Sequence, residues 1–203
     1  GWFKDASGAF YYYRDGNYVT DITRVPYPSA EILPGYGSDK EDAEVNIPGK
    51  EGNPNNYDYP DGESALFVFD ENGVFQKDQC GVYDDNGVTR WISNGMVIWH
   101  AGLVKDGDDY RYFKRNGMVA DVETYVAKTN GLLEAAKYTF GTDGKLMKLE
   151  GLYEDLNGNL CYYVNYIKSY AGLVKVDGDF YYIASDLKAV KDSTYYVTKT
   201  NDL

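Results

Sequence analysis

Short stretches of alternating apolar and polar residues recur along the chain, and glycine-containing dipeptides separate them. An alternation with a period of two is typical of β-strands, because successive side chains of a strand point to opposite faces. The pattern predicts an all-β chain built from hairpins of roughly 20 residues. The separating dipeptides are those preferred in type I′ hairpin turns, where φ is positive: Asn72-Gly73, Asn86-Gly87, Asn94-Gly95, Asn116-Gly117, Asp143-Gly144 and Asn157-Gly158.

Two long segments repeat each other, one from Gly102 to Asn130 and the other from Gly172 to Asn201. Both open on Ala-Gly-Leu-Val-Lys and both close on Lys-Thr-Asn. We place the one-residue slip between them after Thr124 of the first copy and before Thr129. A single hairpin is marginally stable in water, so neighbouring hairpins must stack to bury a shared core. The predicted fold is therefore a β-hairpin repeat solenoid with one proline-rich insertion.

Three regions follow from this pattern. Residues 1–25 form a first aromatic hairpin repeat, residues 26–62 a proline-rich insertion or long loop, and residues 63–203 the tandem hairpin repeats. All six prolines lie in the insertion, where they remove strand donors, and we favour disorder over an ordered loop there. Residues 132–140 contain good helix formers, and we expect a single helical turn.

Composition and charge limit the partners. The chain has 22 Tyr against 8 Phe and 3 Trp, and a tyrosine ring covers a strand surface while its hydroxyl reaches water. A net charge of −12 with no basic cluster disfavours nucleic acid and anionic lipid, and leaves neutral glycans, cationic groups and divalent metals open. No run of about 18 apolar residues exists, so we expect no membrane insertion. The spacing of Cys80 and Cys161 matches no metal or redox motif, and we favour two unpaired thiols.

The aromatic hairpins carry a family resemblance. Gly1-Trp2 with Phe10 to Tyr13, Gly102-Leu103 with Tyr110 to Phe113, and Gly172-Leu173 with Phe180 to Ile183 resemble the Gram-positive cell-wall-binding repeats. That superfamily includes choline-binding, glucan-binding and clostridial toxin repeats. The resemblance implies a β-hairpin solenoid that attaches a secreted or surface-anchored protein to wall polymers, hence an extracellular, cell-wall or cell-surface location. The chain begins inside such a repeat without a visible signal peptide, which suggests a piece of a longer protein.

Candidate ligand-binding residues are the aromatic side chains. On a strand, Tyr11 and Tyr13 share one face while Phe10 and Tyr12 share the other. One pair is expected in the core and the other on a binding groove, and core packing is the more common role for any single tyrosine. Leucine at the second and third repeat openings favours a tyrosine-lined glycan surface over a tryptophan cage for choline. The candidates are Trp2, Tyr11, Tyr13, Trp91, Trp99, Tyr110, Tyr112, Tyr162 and Tyr181.

Other chemistry is less well supported. His100 has no ligand or nucleophile near it in sequence, and the acidic clusters fit turn chemistry without the spacing of a calcium loop. We therefore expect no metal, no cofactor and no catalytic residue, although a glycosidase with carboxylates such as Glu63 and Asp70 is an alternative. The favoured function is a non-catalytic cell-wall or glycan-binding module. The runner-up is a structural or adhesive spacer that contacts host or surface proteins, and a homodimer through end repeats is plausible.

Overall fold

The computed structural model describes residues 1–34, 36 and 64–203. Its regular elements in this part of the chain are strands alone, paired antiparallel into small sheets. The predicted all-β hairpin architecture is therefore confirmed. No helix of the described residues is long and apolar enough to cross a membrane.

The chain forms two compact units, and the first comprises Gly1–Val119 and Lys128–Glu134. It contains a sheet in the order β1-β2-β3, a five-stranded sheet in the order β4-β5-β8-β7-β6, and a sheet in the order β11-β10-β9. The strands are β1 (Trp2–Lys4), β2 (Phe10–Arg14), β3 (Asn17–Tyr18), β4 (Asp21–Pro26), β5 (Ser64–Phe69), β6 (Gly81–Asp85), β7 (Val88–Ser93), β8 (Met96–Ile98), β9 (Gly102–Asp106), β10 (Asp109–Lys114) and β11 (Gly117–Met118).

The second unit comprises Ala120–Ala127 and Ala135–Leu203. It contains the two-stranded sheets β12-β13 and β17-β18 and the three-stranded sheet β14-β15-β16. The strands are β12 (Val122–Val126), β13 (Ala136–Phe140), β14 (Gly151–Glu154), β15 (Leu160–Val164), β16 (Ile167–Lys168), β17 (Gly172–Val176) and β18 (Asp179–Ile183).

The core of the first unit is aromatic. Phe67, Phe113 and Met96 have no exposed surface, and Trp91 and Phe75 pack with them. Burying such side chains contributes about 1.5–3 kcal/mol each relative to leaving them in water. Because two-stranded units cannot supply this burial alone, the large sheet and the hairpins beside it stabilise one another.

The hairpin turns occur where predicted, but type I′ geometry is limited to some of them. At Asn86-Gly87 and Asn94-Gly95 both residues have positive φ, as type I′ requires. At the other four predicted dipeptides only the glycine does, so the type I′ prediction is wrong there. At two of those four, an aspartate two residues before the asparagine accepts backbone N–H groups through Oδ1 and holds a different turn.

The helical turn expected over residues 132–140 is wrong. Residues 136–140 form β13, which pairs with β12 from Val126↔Ala136 to Val122↔Phe140. Tyr138 and Phe140 are buried by this pairing. Burial of the two rings therefore outweighs the intrinsic helix propensity of a segment too short to nucleate alone.

The two predicted repeat copies are equivalent in structure. Leu103 N–H donates to Lys128 O at 2.8 Å, and Leu173 N–H donates to Lys199 O at 2.8 Å. The preceding residue, Gly102, has φ of +74°, and an added Cβ there would lie 2.6 Å from Lys128 O, which explains the glycine. The same holds for the second copy.

The one-residue slip lies elsewhere than predicted. Val119 N–H donates to Tyr112 O in the first copy, and Val190 N–H makes the equivalent bond to Tyr182 O in the second. The donor and acceptor of this bond are one residue further apart in sequence in the second copy. The slip therefore lies before Thr124. The extra residue is in the turn after β18, where Leu187 has φ of +68°. The turn can take this residue because it faces solvent, whereas the later Lys-Thr-Asn segment is bound to the hairpin.

Most of the predicted proline-rich insertion, residues 35 and 37–62, lies outside the described residues. Its described part contributes to the first unit. Leu33 and Tyr36 are buried in the aromatic core, and Tyr36 Oη donates to Lys77 O at 3.3 Å. The favoured disorder does not hold for these residues.

Candidate functional site

A group of four aromatic rings lies on the outer face of the β1-β2-β3 sheet. Phe3, Tyr13 and Tyr18 are 50%, 38% and 48% exposed, and Tyr11 is half-buried. We call these four residues the aromatic ladder. Tyr11 and Tyr13 were predicted from the sequence, whereas Phe3 and Tyr18 were not.

Strand register brings the ladder together. Phe3 is the cross-strand partner of Tyr11, and Tyr13 is the partner of Tyr18. Tyr11 and Tyr13 are two residues apart on one strand and therefore share a face. The Asp15-Gly16 turn, with positive φ at both residues, sets the pairing of Tyr13 with Tyr18. That dipeptide was a sequence signal for including Tyr18.

The rings of the ladder contact one another at angles. Tyr13 is central, with ring centroids 6.2 Å from Phe3, 6.3 Å from Tyr11 and 6.4 Å from Tyr18. The Phe3 and Tyr18 rings are nearly perpendicular to it, at 81° and 83°, whereas Tyr11 is tilted by 41°. Edge-to-face packing of this kind is favourable and holds ring faces in fixed orientations.

Asp5 fixes the edge of the ladder. Its Oδ1 accepts the N–H groups of Ser7 and Ala9, both at 2.9 Å, and its Oδ2 accepts the Tyr11 hydroxyl at 3.3 Å. The hydrogen bond from the Ser7 hydroxyl and these partners hold the pKa of Asp5 below its ordinary value. Partial burial and the Asp5 carboxylate raise the pKa of Tyr11 above its ordinary value.

Gly73 lies directly against the ring of Tyr18. An added Cβ at Gly73 would be 2.3 Å from Cδ2 of Tyr18 and 2.6 Å from its Cγ. Gly73 also has φ of +76°, which a residue with a side chain adopts with strain. The hairpin turn therefore supplies a glycine surface on which the Tyr18 ring rests.

Trp2 lies on the opposite face of the same sheet and contributes to the core. Its ring contacts Phe67, Phe69 and Phe75 at centroid distances of 5.1, 5.7 and 5.6 Å. Its Nε1 donates to Pro26 O at 2.7 Å. Phe10 and Tyr12 also pack against this core, so the predicted division of the Phe10–Tyr13 strand into a core face and an outer face is confirmed.

The other two tryptophans have different environments. Trp91 is 5% exposed and packs against Phe113 with ring centroids 5.7 Å apart. Trp99 is half-buried, and the Arg90 guanidinium lies over its ring at 5.2 Å. Burial in the core leaves Trp91 no ring face for a ligand.

Tyr110 and Tyr112 share a face of β10. Tyr112 is 5% exposed, and burial raises the pKa of its hydroxyl. Tyr110 is half-buried nearer the turn. Tyr112 therefore belongs with the core, and Tyr110 is the more accessible of the two predicted residues.

Tyr162 and Tyr181 lie in the second unit and are half-buried. Tyr181 lines a cavity of about 780 Å³ together with Tyr195, Glu154 and Asn159. Tyr162 is the cross-strand partner of Leu152 in the β14-β15 hairpin. The structure does not bring these two tyrosines into the aromatic ladder, so they would form separate contacts.

A second cavity of the same unit, about 520 Å³, has an ion network in its wall. Lys168 Nζ lies 2.8 Å from Glu123 Oε2 and 2.8 Å from Asp155 Oδ2. Burial opposes the charge on Asp155, but the hydrogen bonds from Lys168 and from the N–H groups of Asn159 and Asn157 outweigh it and lower its pKa. Burial also opposes the charge on Lys168, but its hydrogen bonds to Asp155 and Glu123 outweigh burial and raise its pKa. One ammonium between two carboxylates leaves a formal charge of −1, and the shifts move the pKa values of Asp155 and Lys168 away from neutral pH, which does not favour proton transfer by these two groups.

Potential metal ligands do not cluster in the part of the chain that the structure describes, where no group of three His, Cys, Asp or Glu side chains could hold an ion. Cys80 is exposed and Cys161 is buried, and both are unpaired thiols. Asp70, one of the two carboxylates considered for catalysis, accepts the N–H groups of Asn72 and Val74 in a turn. Glu63 lies outside the described residues.

Three solved structures are similar to parts of this chain. CbpF in complex with ipratropium is similar over 99% of this chain and 57% of its own, with 15% identity and a TM-score of 0.50. Choline binding protein F from Streptococcus pneumoniae matches 93% of this chain and 72% of its own, at 16% identity and a TM-score of 0.44. A truncated alternansucrase from Leuconostoc mesenteroides matches 61% of this chain and 12% of its own, at 19% identity and a TM-score of 0.45.

At such identities the likeness to CbpF shows the fold alone. It supports the all-β hairpin fold that the resemblance of the aromatic hairpins implied. The chain spans 57% of the length of the CbpF chain. No protein-family model matches the chain, and no curated protein matches it.

Proposed function

We propose that the protein is a non-catalytic module that binds a neutral cell-wall polysaccharide or related glycan, with the aromatic ladder as its contact surface. The observation that carries the proposal is a group of four adjacent rings, three exposed and one half-buried, on one face of a small sheet whose other face packs on the core. A contiguous exposed aromatic patch of this kind is typical of a binding site.

The ladder suits a sugar polymer for two reasons. The apolar C–H face of a sugar ring loses contact with water when it lies against an aromatic ring, which is favourable in proportion to the area buried. The hydroxyl groups of Tyr11, Tyr13 and Tyr18 add hydrogen-bonding groups at the edges of the same surface. Because Asp5 and Gly73 already hold the rings, little side-chain entropy is lost on binding.

Charge favours a neutral polymer over an anionic one. The chain carries a net charge of −12, which repels phosphate-rich polymers. In the first hairpin Lys4 lies 5.3 Å from the Phe10 ring centroid and Arg14 lies 6.0 Å from the Tyr12 ring centroid, and both of these rings belong to the core face. The ladder face itself has no basic side chain among its four members.

A binding assay with ring variants tests the proposal. Purified Gram-positive walls and a series of insoluble neutral glycans are sedimented with the protein, and soluble oligosaccharides of the retained glycan are titrated. Truncating Tyr13 and Tyr18 to alanine together is expected to weaken binding about tenfold or more, since each ring contact contributes about 0.5–1.5 kcal/mol. Tyr153→Ala removes a ring that is 47% exposed elsewhere and is the matched control.

The result decides between the two functions considered. Retention on no glycan, or equal weakening by Tyr153→Ala, contradicts the ladder as the binding surface. In that case the spacer function gains support. The absence of catalysis is tested in the same samples, because a hydrolase would release new reducing ends from the retained glycan over hours.

The proposed location follows from the proposed function. A module that binds wall polymers acts outside the membrane, on a secreted or surface-anchored bacterial protein. The resemblance of the aromatic hairpins to cell-wall-binding repeats supports this location. Labelled protein added to intact Gram-positive cells is expected to bind at their surface, and the Tyr13 and Tyr18 double variant is expected to bind less.

A further inference from the structure

The turn after β18 differs from its equivalent in the first repeat copy. The hydrogen bonds that follow the two turns are equivalent, so Lys188 takes the position of Gly117. A Cβ added to Gly117 would lie 2.8 Å from Val88 Cγ1 and 3.0 Å from Thr89 O, both on the neighbouring strand β7. A lysine cannot lie that close to a strand, so the second turn needs a different arrangement.

The extra residue of the second turn provides that arrangement. Leu187 has φ of +68°, in the left-handed region that residues other than glycine and asparagine rarely adopt. Two residues later, Ala189 N–H donates to Leu160 O at 2.8 Å and keeps the turn attached to β15. Cys161, the next residue of that strand, lines the cavity of about 520 Å³ together with Leu187 and Lys188. Backbone strain of this kind is concentrated at ligand-binding and active sites.

Part of the wall of this cavity is apolar. Leu187 and Ile167 line it together with Tyr125, which is 54% exposed. The cavity volume of about 520 Å³ lies within the range of small-molecule sites. An aromatic ring beside two aliphatic side chains suits the C–H face of a sugar ring, because burial of that face is favourable.

The two carboxylates of the lining already have partners within the chain. Lys168 Nζ lies 2.8 Å from Glu123 Oε2, and the same ammonium lies 2.8 Å from Asp155 Oδ2. Asp186 Oδ1 accepts the backbone N–H of Lys188 at 3.1 Å. These contacts hold the wall of the cavity and the turn in place before any ligand binds.

Two other ammonium groups at the cavity have no such partner. Lys137 lies opposite Tyr125 in the β12-β13 pair, and Lys188 lies in the turn. Both lysines are exposed, and among the described residues neither ammonium group makes a hydrogen bond or an ion pair. Cross-strand partners share a face of a sheet, so Lys137 lies on the same side as the Tyr125 ring. A carboxylate on a ring that packs against Tyr125 would supply the missing counter-charge.

The net charge of −12 does not exclude an anion from this cavity. Charges separated by more than about 8 Å are largely screened at physiological salt. The charged side chains that line the cavity are three lysines and two acids, so the local balance is not acidic. A single carboxylate is therefore governed by the lining, whereas a long polyanion would be repelled by the rest of the chain.

We propose that this cavity binds one carboxylated sugar, either free or as a single unit of a polymer. The sugar ring lies against Tyr125 and Leu187, and its carboxylate is held by the ammonium groups of Lys137 and Lys188. The site is separate from the aromatic ladder, and its ligand is an acidic sugar and not a neutral glycan. The proposal does not depend on the function of the ladder.

Titration of the full chain with methyl β-D-glucuronide tests the proposal, with methyl β-D-glucoside as the matched neutral probe. In NMR spectra the amide shifts of Tyr125 and Leu187 are expected to change and to saturate with the glucuronide. The glucoside is expected to bind about tenfold more weakly, because it has no charge to pair with the lysines. A short oligomer of glucuronic acid separates the two sources. Tighter binding than that of the monomer indicates a polymer unit, and equal binding indicates a free sugar acid.

Variants separate the site from a general effect of charge. Replacing Lys137 and Lys188 together by glutamine is expected to weaken glucuronide binding about fivefold or more, of the order of two exposed ion pairs. Replacing Lys148 and Lys175 by glutamine removes the same charge from exposed positions outside the cavity, and is the matched control. Leu187→Asn keeps the left-handed turn, and is expected to weaken binding about threefold through lost apolar contact. Its free energy of unfolding is not expected to fall.

Four outcomes would overturn the proposal. The first is absence of saturable shifts at Tyr125 and Leu187 with the glucuronide, and the second is equal binding of the glucuronide and the glucoside. The third is equal weakening by the two double lysine variants. The fourth is loss of glucuronide binding in the Tyr13 and Tyr18 double variant, which would assign the acid to the aromatic ladder. Unchanged binding in that variant is the expected result, even where the ladder fails to bind a neutral glycan.

Discussion

The side chain of Asn130 makes the same pair of hydrogen bonds in its repeat copy as the side chain of Asn201 makes in the next. Asn130 Nδ2 donates to Ala101 O at 2.6 Å and to Leu103 O at 2.7 Å. Asn201 Nδ2 donates to Ala171 O at 2.6 Å and to Leu173 O at 2.9 Å. The Lys-Thr-Asn sequence shared by the copies thus closes a loop onto the start of the hairpin.

The two asparagines differ in burial, which gives a prediction. Asn130 is half-buried and Asn201 is exposed, so water can replace the lost bonds more easily at Asn201. Asn130→Ala is expected to lower the free energy of unfolding by about 1–3 kcal/mol, because two carbonyls lose their donor in a partly buried site. Asn201→Ala is expected to cost less, about 0.5–1.5 kcal/mol.

Denaturant unfolding of both variants, with hydrogen exchange at Leu103 and Leu173, checks this prediction. Asn130→Asp is a useful companion, because its carboxylate replaces the donor and faces the same two carbonyls. We expect it to be at least as destabilising as the alanine variant. Equal stability of Asn130→Ala and the wild type would show that the shared hydrogen bonds do not hold the loop.

A second prediction concerns the glycine beneath the ladder. Gly73→Ala places a methyl group where the Tyr18 ring now lies, so the ring must move and the ladder loses its arrangement. We expect glycan binding to weaken by about fivefold or more, of the order of one lost ring contact, although the substituted residue is not in the ladder.

Gly158→Ala is the matched control for that variant. Gly158 has φ of +78° in an equivalent turn, but an added Cβ there meets no atom within 4 Å. Both variants carry the same backbone strain, and only Gly73→Ala displaces a ring. If the two variants bind glycan equally, Tyr18 is not part of the binding surface.

The sequence was sufficient to predict the hairpins and the division of their faces. Alternation in Phe10–Tyr13 separates two faces by geometry alone, and the structure places Tyr12 against the core and Tyr13 in solvent. The equivalence of the two repeat copies, which begin at Gly102 and Gly172, could also be predicted, because the closing loop has the same residue types in each copy.

The role of individual rings was less predictable, since it depends on residues far away in sequence. Trp2 was predicted to bind ligand, but its surroundings are set by Phe67 and Phe75, which a local pattern does not reveal. The strand at Ala136–Phe140 was mistaken for a helical turn because its partner β12 decides the outcome. Phe3 was overlooked because the register of β1 against β2 depends on the turn after Asp5 and not on the aromatic residues themselves.

The last prediction concerns Lys168, whose ammonium lies between Glu123 and Asp155. The Asp155 side chain is 5% exposed, so loss of its cation leaves a buried carboxylate whose remaining donors are backbone N–H groups, the Asn159 amide and the Cys161 thiol, all uncharged. Lys168→Met is expected to lower the free energy of unfolding by about 3 kcal/mol at pH 7. Lys137→Met, which alters an exposed lysine of the same cavity, is the control and is expected to change stability by less than about 0.5 kcal/mol.

The pH dependence follows from the direction of the two pKa shifts. The pKa of Asp155 is lowered in the folded state from its ordinary value of 3.8, so its contribution is present above that pH and is lost as the pH falls through the folded value. The pKa of Lys168 is raised from 10.5, so its contribution is present below that pH and is lost as the pH rises through the folded value. The stability difference between wild type and Lys168→Met should therefore be constant from about pH 5 to 9 and shrink on both sides. Urea unfolding at a series of pH values measures it, and a difference that grows on acidification would contradict the assigned ion pair.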